Sequence, residues 1–231
     1  MREIIFDTET TGLDPKTGDR MVEIGCVEMI DRIETGRVYH AYYNPERDMP
    51  AGAEAVHGLS AAFLSGKPLF ADTAGELLEF IEDSPLVAHN AGFDFGFLNA
   101  ELQRCGRPIV AMDRMIDTVA LARKRHPGAK LSLDALCTRY GIDRSHRVKH
   151  GALLDAELLA QVYIELKGGR QIGLELVGDP AATAATGSAA PLAHSAPGRI
   201  RREPRPHQPT AAELARHAEF VAGIENAIWS R

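Results

Sequence analysis

The stretch Ile4-Ile5-Phe6-Asp7-Thr8-Glu9-Thr10-Thr11-Gly12-Leu13 decides how this chain is read. Three bulky apolar residues lead into two carboxylates separated by a single residue. Alternate residues of a β-strand project to the same face, so Asp7 and Glu9 stand side by side at the end of an otherwise apolar strand. Two like charges that close repel each other. Hard oxygen donors make a divalent cation, Mg²⁺ or Mn²⁺, the natural compensation. An exposed strand end running into a Thr-Gly turn is the bland alternative, and the rest of the chain decides between them.

Working outward, Met21–Ile30 and Gly36–Tyr43 read as two further strands joined by a polar turn at Asp31–Thr35, after a Gly- and Pro-containing loop over 12–20. Three strands in succession predict an antiparallel meander. Ala53–Leu59 is a loop or short helix, and Asp72 is expected to N-cap a helix through Ile81, with Leu77, Leu78 and Ile81 on one face. Strand–helix alternation follows: Leu86–Asn90 into a helix ending near Gly106, then Met115–Thr118 into a helix over Val119–Arg125. Ser132 caps a helix closed by Gly141, and Gly151 begins one that reaches about Lys167 with Leu154, Leu158, Leu159 and Val162 at helical spacing. Strands first and alternation afterwards define a mixed-sheet α/β domain over 1–168.

The chain has 231 residues, 45% of them hydrophobic and 25% charged, enough for one sizeable core. A net charge of −6 does not advertise nucleic-acid binding, but a site can meet phosphates through metals rather than a basic surface. No apolar run reaches transmembrane length and no leader is expected. Cys26, Cys105 and Cys137 are isolated and odd in number, which suits reduced thiols in a cytoplasmic protein.

Further acidic positions join the first pair. Asp94 opens a helix four residues after Asn90, and Asp155 lies one turn into the helix that follows His150. Each alone is a weak signal; the combination Asp7-x-Glu9, Asn90-x3-Asp94 and His150-x4-Asp155 is not. It resembles the three motifs of the DEDD superfamily of 3′–5′ exonucleases, in the branch with a histidine in the last motif. The flanking Thr8, Thr10-Thr11-Gly12, Val22-Glu23-Ile24-Gly25 and Val56-His57-Gly58-Leu59 also resemble that family.

The resemblance implies a ribonuclease H-like mixed β-sheet flanked by helices. It also implies two divalent metals, with Asp7, Glu9 and Asp155 holding one, Asp7 bridging to the second, and Asp94 helping through water. Two metals about 3.5–4 Å apart clamp the attacking and leaving oxygens of an in-line displacement, and His150 takes the proton from the attacking water. The products would be a nucleoside 5′-monophosphate and a strand one residue shorter. The terminal nucleotide would be gripped by Thr10, Gly12 and Leu13, with His57 and Phe93 lining the site. His57 is alternatively structural, Asn90 either bonds substrate or caps the strand end, and Glu23 either orients a neighbour of the metal site or is a surface carboxylate.

Beyond the domain, residues 169–209 are rich in Ala, Pro, Ser, Thr and Gly and read as a flexible linker. Order is expected to resume over 210–231. A capping-box pattern at Thr210–Glu213 precedes Leu214, Phe220, Val221, Ile224, Ile228 and Trp229, an amphipathic helix suited to a partner. Domain, linker and terminal helix together resemble the proofreading epsilon-subunit family of bacterial DNA polymerase III, which implies that this helix binds the polymerase alpha subunit. Gln171, Leu174 and Leu176 resemble the peptide that binds the beta sliding clamp. Such contacts on one flexible chain would raise the effective concentration of the nuclease at DNA 3′ ends. A free-standing exonuclease acting on RNA 3′ ends would lack the linker and tail. A non-catalytic bridge between clamp and polymerase would not need the clustered carboxylates.

Overall fold

A computed structural model describes residues 1–147, 149–169 and 209–224. The chain divides into two units, 1–176 and 177–231. In the first, β1 (Arg2–Thr10), β2 (Met21–Ile30), β3 (Ile33–Tyr42), β4 (Leu86–Ala88) and β5 (Met115–Asp117) form one sheet in the order β3-β2-β1-β4-β5. β2 and β3 form the expected antiparallel meander with β1, whereas β4 and β5 run parallel to it. The acidic strand is therefore central. Paired on both sides, it buries Ile4, Ile5 and Phe6 completely or nearly so.

Helices cover both faces. Ile4 and Phe6 pack with α3 (Phe70–Ile81) and α4 (Gly92–Arg104), Phe6 meeting Phe95 edge-on at 5.7 Å. Ile5 points the other way, to α5 (Thr118–Arg125), α6 (Leu133–Tyr140) and α7 (Ala152–Leu166). Strand alternation then sorts the polar residues of β1. Asp7 and Glu9 share the α7 face with Ile5, and Thr8 shares the α4 face with Phe6.

Two features bring α7 onto the sheet. Gly25 lies opposite Asp7 on β2, and a Cβ there would come within 2.3 Å of the Leu153 backbone. Along α7, Ala152, Ala156 and Ala160 recur every four residues and are fully buried. Leu158, Leu159 and Val162 are buried as the periodicity predicts, while Leu154 is half-buried. At the far end the Tyr163 hydroxyl donates to Glu3 at 2.7 Å, completing a buried polar contact between α7 and β1.

Several local expectations are corrected. The β2–β3 turn is not a five-residue segment: Asp31 and Arg32 alone turn the chain, both at positive φ, +51° and +68°. That is the hairpin geometry which matches strand twist, and β3 consequently starts at Ile33. Asp72 is not the N-cap but the third residue of α3, where its carboxylate accepts the Leu69 N–H at 2.9 Å. Leu77 and Ile81 lie in the core with Phe70 and Ala74, as expected, and Leu78 packs half-buried against that cluster. The segment before Gly58 is a helix, α1 (Ala51–His57), followed by the four-residue α2 (Ala61–Leu64).

The second unit contains α8 (Ala211–Ala222), opened by the expected capping box of Thr210 and Glu213. Leu214 and Phe220 are exposed and Val221 is half-buried. Ile224 lies beyond the helix, not within it, because the last turn tightens into Gly223 N–H to Phe220 and Ile224 N–H to Val221 carbonyl bonds. Gln171, Leu174, Leu176, Ile228 and Trp229 fall outside the described residues. No helix among the described residues is long and apolar enough to cross a membrane.

Candidate active site

Helices α4 and α7 and the loop before α7 converge at the C-terminal end of β1. Strand alternation brings Asp7 and Glu9 to the α7 side. α7 supplies Asp155 from its first turn, with the loop before it supplying His150 and Arg147, and α4 supplies Asp94 from its first turn. Together with His89, Asn90, Phe93 and Asp134 these residues line a cavity of about 270 Å³. All five carboxylate and histidine positions of the three motifs are thus in one place. Ligand atoms of Glu9, His150 and Asp155 lie within 4.8 Å of one another.

The electrostatics follow from this crowding. Burial, then Asp155 and Glu23, push the Glu9 carboxyl up to about 8 against the opposing charge of Arg147. Burial raises Asp7 well above the ordinary carboxylate range, helped by Asp94, Glu9 and Asp155. Asp94 is raised by burial to about 7, although the Thr8 hydroxyl donates to its Oδ1 at 2.7 Å and opposes that shift. Facing carboxylates with raised pKa values form a site that a divalent cation would relieve.

A second cleft of about 440 Å³ adjoins the first, sharing Thr8, Glu9 and Phe93 with it. Thr10, Gly12, Leu13 and His57 line it. Leu13 is 85% exposed at its rim. The Thr10 hydroxyl donates to the Gly12 carbonyl at 2.6 Å and shapes the turn. His57 is buried, its Nδ1 accepting the Leu59 N–H at 3.0 Å, and burial lowers its pKa. Phe93 packs against Phe97 with the rings tilted by 50° and their centroids 4.9 Å apart. Asn90 is exposed on the first cavity at φ +63°, a conformation asparagine tolerates, and its N–H bonds the Asp117 carboxylate. Helix α1, the end of β1 with the loop after it, and the start of α4 together form this cleft. Arg20 ties that loop to α4 through the buried Glu101, at 2.7 and 2.9 Å.

One of the two readings of Glu23 is overturned, and one feature was not read from the sequence. Glu23 is not a surface carboxylate: it is buried opposite Glu9 on β2 and bonded to His40 Nε2 at 2.7 Å. Arg147, read only as part of a basic stretch, is nine-tenths buried in the site. Its Nε and Nη2 hold the two oxygens of Asp155 at 2.5 and 2.6 Å, and Nη1 holds Asp134 at 2.9 Å.

Comparison with known proteins agrees with the fold. Residues 4–163 match the family model RNase_T, described as exonuclease. DNA polymerase III subunit epsilon of Rickettsia felis is 48% identical over 97% of both chains. The same subunit of Escherichia coli K12 is 44% identical over 73% of this chain and 72% of its own. Among solved structures, exonuclease X in complex with 5′ overhanging duplex DNA superposes with a TM-score of 0.54 at 27% identity, covering 71% of this chain and 90% of its own. The nuclease domain of 3′hExo, a DEDDh family member bound to rAMP, shares the fold with a TM-score of 0.63 at 16% identity, over 72% and 91% of the two chains. The chain is an exonuclease. Within that class, the chain belongs to the family of DNA polymerase III epsilon subunits.

Proposed function

We propose that this exonuclease removes mispaired nucleotides from DNA 3′ ends as the proofreading subunit of a replicative polymerase, using two divalent metal ions, Mg²⁺ or Mn²⁺. The observation that carries the chemistry is the convergence of Asp7, Glu9, Asp94, Asp155 and His150 on one cavity. The family is one of divalent-metal-dependent nucleases, and oxygen donors with one imidazole suit such an ion. Asp7, Glu9 and Asp155 hold metal, and Asp94, steadied by Thr8, completes the carboxylate set. When bound, the metals supply charge stabilisation and an activated water for in-line attack on the terminal phosphodiester.

His150, half-exposed at the mouth of the cavity, takes the proton of the attacking water. The adjoining cleft receives the terminal nucleotide: Leu13 packs on its base from the rim, Phe93 lines the passage to the carboxylates, and Thr10, Gly12 and His57 shape the floor. Asn90 borders the scissile end. The exposed Leu214 and Phe220 of α8 support its reading as the segment that docks on the polymerase alpha subunit, together with Val221, Ile224, Ile228 and Trp229. Gln171, Leu174 and Leu176 serve as the contact to the beta sliding clamp.

Digestion of a 3′-mispaired primer–template with Mg²⁺ tests the reading. Stepwise release of nucleoside 5′-monophosphates is expected from the natural protein and not from Asp7→Ala. Release from neither, or preference for an RNA 3′ end over the mispaired DNA, would overturn it.

A further inference from the structure

Among the described residues lining the cavity, Arg147 carries the only Lys or Arg charge. It is far from idle. Its side chain is 9% exposed, and a two-pronged contact covers both oxygens of Asp155, 2.5 and 2.6 Å away. Nη2 also lies 2.8 Å from His150 Nδ1. A guanidinium only donates, so that ring nitrogen offers Arg147 its lone pair. The fourth contact, to Asp134, differs from the others: that carboxylate is half-exposed at the rim, where Arg144 also reaches it at 3.0 Å. Arg147 therefore joins a buried acidic centre to an exposed anchor.

The lone pairs that hold Arg147 are those a metal ion would use. A cation on those oxygens would have to share them with a guanidinium 2.5 and 2.6 Å away, and two positive charges that close repel. We propose that Arg147 is a resident counter-cation that competes with the metal for Asp155. Metal loading moves the guanidinium off Asp155 and His150 together, while Asp134 keeps it at the rim. Arg147 is thus a positioning residue that keeps the acidic cluster compensated before loading. It also ties availability of the His150 lone pair to the arrival of metal. The inference rests on the proposed metal site.

The test is direct measurement of Mn²⁺ binding to the full chain, by calorimetry and by loss of the free-ion resonance signal, with melting curves in chelator and in Mn²⁺. Arg147→Gln removes the competitor, so Mn²⁺ should bind roughly tenfold tighter, given the strength of charge-assisted hydrogen bonds. Its melting temperature should fall in chelator and recover in Mn²⁺, making the metal-induced rise larger than in the natural protein. Asp134→Asn takes away the anchor that receives the displaced guanidinium, so binding should weaken by about threefold, with no such effect in the Arg147→Gln background, as residues acting through one another do. A merely structural arginine would lower both melting temperatures equally and leave the dissociation constant alone. An unchanged or weaker constant in Arg147→Gln overturns the inference.

Arg147→Lys keeps the charge but not the fork. It carries the test if the glutamine variant does not fold, with tightening of a few-fold expected and an unchanged constant refuting. Absence of Mn²⁺ binding by the natural protein and every variant would instead sink the metal site itself.

Discussion

Glu9→Gln should stabilise the chelator-treated protein at alkaline pH, against the usual expectation for a buried polar substitution. Glu9 is buried, and its carboxyl is raised from 4.5 to about 8, by burial first and then by Asp155 and Glu23. A carboxyl whose folded pKa exceeds its unfolded one keeps its proton better in the native state. Its contribution to stability is therefore fully present below about 4.5 and is lost as pH climbs through 8. At about 1.4 kcal/mol per pH unit the ceiling is roughly 5 kcal/mol. Relaxation and water entering the cleft reduce this, and about 2 kcal/mol is a working figure. For a domain of this size that corresponds to about 4–8 °C in melting temperature. Gln has nearly the same shape and cannot ionise.

Melting curves in chelator from pH 5 to 9 should therefore fall more steeply for the natural protein than for Glu9→Gln. Asp7 remains in both proteins and, also raised by burial, gives the variant a residual slope. Added Mg²⁺ or Mn²⁺ should flatten the natural protein's curve, because binding to the ionised cluster stabilises the native state in proportion to occupancy. Parallel melting-temperature profiles for the two proteins in chelator would refute the reasoning: Glu9 would then titrate alike folded and unfolded, and the crowding would carry no electrostatic strain.

Two further substitutions probe how the scaffold holds the site. Gly25→Ala puts a Cβ within 2.3 Å of the α7 backbone, so the helix must lift off the sheet. We expect a loss of about 3 kcal/mol by denaturant unfolding, and weaker Mn²⁺ binding because Asp155 moves with α7; unchanged stability would contradict the packing. Thr8→Val removes the hydroxyl that donates to Asp94. It should cost about 1.5–3 kcal/mol at pH 8 and less at pH 5, because protonation of Asp94, already raised to about 7, weakens the need for a donor. A loss independent of pH would show that the hydroxyl serves packing alone.

The ease with which the fold could be read varies with the range of the interaction responsible. β1 was legible because the period of two and the burial of Ile4, Ile5 and Phe6 are properties of a few adjacent residues. Ser132, Gly141 and Thr210 were legible for the same reason, since capping is local. The Asp31–Arg32 turn was misread because no glycine marks it. Two non-glycine residues sit at positive φ there, which pairing of β2 with β3 on either side imposes. Asp72 was misplaced by three residues because the same carboxylate satisfies the helix start from within the first turn as from the cap.

The site divides along the same line, and its hidden members are countercharges. Carboxylates recurring in motifs declare themselves by type and spacing. What neutralises them does not, since Coulombic compensation needs only proximity. Arg20 reaches Glu101 across more than eighty positions. Arg147 was the exception within reach, eight residues before Asp155, yet a basic stretch of sequence reads as a solvated surface until a fold shows which of its members turns inward. Arg144 stays at the rim on Asp134, and Arg147 goes past it to Asp155. A site that gathers this many raised carboxylates must be compensated at every stage of its working cycle. The residue that does so before a metal arrives is as much a part of the site's chemistry as the ligands themselves.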